Sequence, residues 1–295
     1  MKIPQGSEGF FFEEAYIHRK VTEALHKLFN SWGYLPVETP VFDLFDVYRS
    51  LIPEAETDKI YRLIDRDGDL LMLRSDITLF LARQMGMVIS EDDLPVRICY
   101  SDSILRHQNS EDISHNEFFQ SGVELIGKPG FEGDIEVLLL LGQTIRLLDI
   151  PARVHLGSHA LFNSIFSGFS EKDKSVIISL TSKRDFAGLA DFCSPLLGRE
   201  DAEKTAALFG FIGEREEVEA EGLFPDRAGV ELNHLIRLLE KLDEAGLAEY
   251  FTIDLSEVGS QAYHTGIVFQ VYMDAVDSAV ISGGRYDSLL GKFGI

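Results

Sequence analysis

The sequence predicts an α+β fold, with strands and helices mixed rather than strictly alternating. Two predicted strands stand next to each other between residues 96 and 127, a mostly helical stretch follows Phe162, and strand character returns after Tyr250. A doubly wound sheet requires regular strand–helix alternation, which this order lacks. The expected organisation is a sheet-bearing core built from residues 1–161 and 250–295, mixed and largely antiparallel with flanking helices, and a helical insertion at 162–249.

Along the chain, Ile17, Val21, Ala24, Leu25, Leu28, Phe29 and Trp32 recur with helical period, predicting a helix over about Glu13–Ser31 that stops at Gly33. Pro36 and Pro40 keep the next segment, YLPVETPVF, extended. Tyr61–Ile64 and Leu70–Leu73 flank an Asp65-Arg66-Asp67-Gly68 turn and read as a hairpin. Thr78–Met87 reads as a helix, the run from Val96 to Gly127 as two strands around a charged loop at 109–115, and Asp134–Leu148 as another helix. Beyond the helical stretch, Tyr250–Leu255, Gly266–Tyr272 and Ala279–Ile281 read as strands, and Gly283-Gly284-Arg285-Tyr286-Asp287 leads into a short helix start.

Composition narrows the function. Apolar residues at 45% and charged residues at 26% fit a soluble globular protein. The longest apolar run, Val137–Leu141, is too short to span a bilayer, and the N-terminus has no signal-peptide layout, so a cytoplasmic protein without a membrane partner is expected. Two cysteines cannot build a disulfide framework or a cysteine-rich zinc site. Acids outnumber bases 49 to 27, a net charge of −22 that argues against nucleic acid as a tightly held partner. Phosphate-binding loops, dinucleotide fingerprints, HExxH and GxSxG are absent; His107 and His115 match no common metal spacing, so neither a metal nor a cofactor is expected. The acidic run at 213–219 reads as a solvated face; Gly283-Gly284 reads by default as a turn, the alternative being backbone amides brought near a ligand.

The strand ending at Gly127 places Phe119, Val123 and Leu125 on one side and Gln120, Gly122 and Glu124 on the other. A solvated sheet face explains such a row, and so does a polar ligand. Gln120 and Glu124 lie roughly 13 Å apart along the strand. Asp76 and Thr78 share a side if their segment is extended, and Tyr263-His264-Thr265-Gly266 opens a further strand. Acids, hydroxyls, an amide and an aromatic pair suit a small zwitterion with a protonated amine.

These segments resemble the core of histidine-tRNA ligases, which are class II aminoacyl-tRNA synthetases. The first helix with GYLPVETP resembles the dimer-forming first motif. CYSDSILRHQ through HNEFFQSGVELIG resembles the ATP-contacting second motif, and QAYHTGIVFQVY with GGRYDSLL resembles the histidine-specific segments RGLDYYTGTVFE and GGRYDGL. The resemblance covers about Pro4–Leu161 and Tyr250–Leu290. It implies a histidine-like pocket in which Asp76 stands where the family has glutamate, Thr78, Gln120, Glu124 and Tyr263 match directly, and His264 replaces a second tyrosine.

The adenylation machinery does not carry over. Arg106 keeps the phosphate-contacting position of the second motif, but Gly259 stands where the family has its catalytic arginine. Gln108 replaces a glutamate, the loop after it is Asn109-Ser110-Glu111-Asp112, and Ser114 and Asn116 replace arginines. An acidic loop repels a triphosphate. The sequence also ends at Ile295, before the third motif. A pocket kept without its chemistry is similar to the regulatory subunits of ATP phosphoribosyltransferase. That resemblance implies no catalytic residue here, a short-form catalytic subunit as partner, histidine as effector, and a homodimer within a hetero-oligomer. The alternatives are a divergent or truncated ligase and a free-standing histidine-binding pseudo-synthetase.

Overall fold

The computed structural model describes residues 9–52, 54–107, 116–215, 217, 229–259, 263–274 and 276–293. The loop at 108–115 that bears the expected loss of basic residues, apart from Asn116, lies outside them. The chain groups into two units, residues 1–128 with 288–295, and residues 129–287. The predicted insertion, 162–249, therefore falls in the same unit as the strands on either side of it.

In the first unit, α1 (Phe12–Ser31) leads to β1 (Leu35–Pro36), which pairs in parallel with β5 (Val96–Leu105). Strand β5 pairs antiparallel with β6 (Glu117–Ile126), with Tyr100 opposite Gly122 and Ile98 opposite Glu124. A second small sheet joins β2 (Phe42–Leu44), β3 (Arg62–Ile64) and β4 (Leu70–Leu73) in the order β2-β4-β3, and between these strands run the short helices α2 (Phe45–Tyr48) and α3 (Glu54–Thr57). Helix α4 (Ile77–Val88) lays Ile77, Leu81 and Met85, four residues apart, onto Ile98, Tyr100 and Ile104 of β5.

Arg74 fixes where α4 starts. Only 2% exposed, it donates from Nε and Nη2 to the Ser103 carbonyl at 3.0 and 2.7 Å. Its Nη1 reaches the Thr39 carbonyl and hydroxyl at 2.7 and 2.8 Å and Asp102 at 3.1 Å. A buried guanidinium needs such complete pairing, and the pairing ties the end of β4 to β5.

The second unit opens with α5 (Phe131–Leu148) and β7 (Ala152–Ser158). Helices α6 (His159–Ile165), α7 (Glu171–Ser182), α8 (Phe186–Leu197) and α9 (Arg199–Phe209) follow, then β8 (Ile212–Gly213) and α10 (Gly229–Glu244). Strands β9 (Phe251–Asp254), β10 (Ile267–Met273) and β11 (Val276–Gly284) complete a sheet in the order β11-β10-β7-β9-β8. Pairing is antiparallel except for β7 with β9, giving the mixed sheet expected. Val154, Leu156, Phe251, Ile253, Phe269 and Val271 line one face of it and share a core with Leu138, Leu141 and Ile145 of α5 and Leu232, Leu235 and Leu239 of α10.

The opposite face holds a polar centre. Asp254 is fully buried; His155 Nδ1 bonds its Oδ2 at 2.8 Å, and Arg184 from the α7–α8 turn donates to the same oxygen at 2.7 Å. The Ser256 amide and hydroxyl donate to its Oδ1. Burial alone raises this carboxyl, but the side-chain bonds from His155, Ser256 and Arg184 and the Arg184 charge outweigh it and hold it below the usual carboxylate range.

Candidate ligand-binding site

In the first unit the polar row of β6 is not a solvated face. Gln120, Gly122 and Glu124 share a side with Ile98 and Tyr100, the side α4 covers. Glu124 is 8% exposed, and Thr78 Oγ1 donates to its Oε1 at 2.7 Å. Gln120 Nε2 donates to the Tyr100 hydroxyl at 3.4 Å. Asp76 is the N-cap of α4, accepting from the Leu79 amide at 3.0 Å. Arg106 donates to the Ser75 carbonyl at 2.8 Å. Burial raises the Asp76 carboxyl despite that cap and the Arg106 charge, so enclosure outweighs both. Asp76, Thr78, Gln120 and Glu124 are thus brought together, with Arg106 beside them.

Sequence reasoning missed Tyr100. Fully enclosed, its hydroxyl is pushed well above the usual range by burial, then by the Glu124 and Asp76 charges, while Thr78 and Gln120 bond it. The available signal was its place across from Gly122, between Gln120 and Glu124. A Cβ at residue 122 would collide with the Tyr100 hydroxyl, so the glycine makes room for that ring. The result is two carboxylates flanking a phenol, an arrangement that favours a cationic group.

The second unit groups Tyr263, His264 and Gly259. Tyr263, His264 and Tyr286 form a triangle of rings with centroids 5.4, 5.5 and 6.4 Å apart, and His159 lies 6.3 Å from His264. The His264 ring is wedged between two glycines. A Cβ on Gly259 would collide with its Nδ1, and a Cβ on Gly284 would stand 3.0 Å from its Cδ2. Gly259 also has φ +79°, a left-handed conformation that favours glycine. His264 Nδ1 has no hydrogen-bond partner among the described residues. Burial, then the neighbouring His159, pushes this imidazole down to about 4, so it is neutral at physiological pH. Gly283 and Gly284 do not form the turn expected by default: both belong to β11, where Gly283 faces the Phe269 ring. No cluster of three or more metal-ligating side chains occurs among the described residues.

The strands, helices and polar cluster described above belong to the fold of the class II aminoacyl-tRNA synthetase core. The model of the family described as histidyl-tRNA synthetase matches residues 8–295, and the chain belongs to that family. Two similar curated proteins are named ATP phosphoribosyltransferase regulatory subunit. The one from Clostridium botulinum is 28% identical over 301 residues, covering 99% of this chain and 71% of the relative. The one from Bacillus cereus is 29% identical over 300 residues with the same coverage. A solved Bacillus halodurans structure, described as an ATP phosphoribosyltransferase regulatory subunit/histidyl-tRNA synthetase, is similar at a TM-score of 0.88 and 26% identity, covering 99% of this chain and 78% of that one. A histidine–tRNA ligase subunit from Alicyclobacillus acidocaldarius, at 24% identity and a TM-score of 0.80, matches 100% of this chain and 91% of its own and supports the fold.

Proposed function

We propose that the chain is a regulatory subunit of ATP phosphoribosyltransferase, acting in histidine biosynthesis without catalysing a reaction itself. The relatives that carry this name match 99% of the chain. The single observation that favours regulation over adenylation is Gly259, where the related ligases have an arginine: its conformation favours glycine, and His264 fills the adjoining space. A neutral imidazole supplies no fixed positive charge to a phosphate. One preorganised donor is typically worth about 10²- to 10³-fold in rate.

The partner is the short catalytic subunit, and the effector is histidine. Its ammonium group suits the carboxylates of Asp76 and Glu124 beside Thr78 and Gln120 in the first unit; the resemblance to the ligases assigns the imidazole to Tyr263 and His264. A ligand regulates only through different affinities for two states, so histidine must favour the inhibited assembly. A homodimer is supported by the exposed apolar residues Phe10, Phe11, Phe12, Tyr16, Ile17 and Val21, which run from just before α1 through its first half. A cytoplasmic location fits a biosynthetic role, and no helix among the described residues is long and apolar enough to cross a membrane.

The test mixes the protein with a short-form catalytic subunit and follows turnover with and without histidine. Activation that histidine reverses is expected; absence of a complex, of activation and of inhibition overturns the reading. The second reading, a histidine-tRNA ligase, is favoured by the family match itself. Histidine-dependent pyrophosphate exchange by this chain alone would establish it.

A further inference from the structure

A cleft of about 510 Å³ opens in the second unit between the first turns of α5 and α10 and the chain on either side of β10 and β11. None of its lining residues belongs to the ligand site proposed above. Two of its cationic or protonatable side chains are locked by one buried acid. Arg285 Nε donates to Asp134 Oδ1 at 3.0 Å, and His234 Nε2 bonds Asp134 Oδ2 at 2.7 Å. Arg285 Nη2 also reaches Asp134 and the Gly130 carbonyl, which leaves Nη1 uncommitted among the described residues. A third cation, Arg237, lies over the Phe131 ring at 4.6 Å from its centroid and makes no ion pair among the described residues.

Arg237, Arg285 and His234 line this cleft together with three acids, Asp134, Glu231 and Asp287. Asp134 is used up by Arg285 and His234, and Asp287 accepts from the Thr265 hydroxyl at 3.0 Å and lies 3.9 Å from Arg285. Glu231 is the remaining acid. Against it stand the Arg237 guanidinium, the free Arg285 nitrogen and the Asn233 amide. Arg237 stands on α10 four residues after Asn233 and three after His234, so it neighbours both on the helix surface. Planar guanidinium groups with unmet donors match the oxygens of phosphate or carboxylate.

We propose that this cleft binds a small oxyanion-bearing molecule, with Arg237 and Arg285 Nη1 as its principal donors. The test titrates the full chain at low ionic strength with pyrophosphate in one arm and citrate in another, separating a phosphate ligand from a carboxylate one. Saturable binding of at least one is expected, weakened about tenfold or more in Arg237→Gln, as loss of a charge-assisted contact predicts. Arg199→Gln, on the exposed surface of α9, is expected to bind like the unmodified chain. Three results would each overturn the proposal: no saturable binding of either anion, equal binding by Arg237→Gln, or an equal loss in Arg199→Gln, which would mark diffuse charge attraction. Because Asp76, Glu124, His264 and Gly259 are not among the lining residues, either outcome leaves the regulatory reading to its own test.

Discussion

At the scale of single residues, the two carboxylates beside Tyr100 are not equivalent. Glu124 is bonded by a side chain, Thr78, whereas Asp76 also caps α4. Glu124→Gln should therefore weaken histidine binding by about 1.5–3 kcal/mol with little change in melting temperature. Asp76→Ala should weaken binding and also lose about 1 kcal/mol of stability. Asp76→Ser, which keeps a capping hydroxyl, should lose affinity alone; calorimetry and thermal melts on the three variants separate these effects. At Gly259, alanine should cost roughly 1–3 kcal/mol in urea unfolding from its backbone conformation alone. Arginine there should not create pyrophosphate exchange, because it meets the same ring. His264 adds a pH signature. Its folded imidazole titrates near 4 and an unfolded one near 6.5, so the unfolded chain binds the proton first. Stability should be indifferent to this group above about pH 6.5 and fall as the pH drops toward about 4. His264→Phe should shrink that acid-side loss, as read from urea midpoints along the pH range.

At the scale of elements, β5, β6 and α4 show what a sequence discloses. Helical period located α1, α4 and α5 to within a few residues, and strict alternation located β6 with its polar side correctly assigned. What alternation cannot state is what covers a face. The row at Gln120 and Glu124 fits water as well as it fits a ligand until α4 is seen to pack there. Tyr100 stayed hidden for a related reason: a tyrosine in an apolar-patterned strand reads as core, and only the register with Gly122 gives its hydroxyl a place. Likewise, Gly283 and Gly284 read as a turn because their large neighbours, Phe269 and His264, lie far back in the sequence. Gly122→Ala tests that register. It should destabilise the protein by about 1–3 kcal/mol through overpacking, and Tyr100→Phe in the same chain should recover part of the loss by removing the colliding oxygen.

For the whole molecule, the first helix raises a question of cover. Ile17 and Val21 belong to its apolar helical period, yet they are 54% and 39% exposed. The second copy proposed above would cover this face, so Ile17→Asp with Val21→Asp should lower the mass measured by light scattering to that of a monomer while the fold persists. The helical stretch between residues 162 and 249 raises the opposite question, whether it is a guest. Arg184, inside it, neutralises Asp254, and β8, also inside it, extends the sheet beside β9. Excising the stretch would take from the buried Asp254 carboxylate its guanidinium partner, leaving His155 and Ser256, and would lay bare a strand edge. Trimming the second unit to its strands is therefore expected to destabilise it, and a graft of another insert would do better with a guanidinium at the same spot.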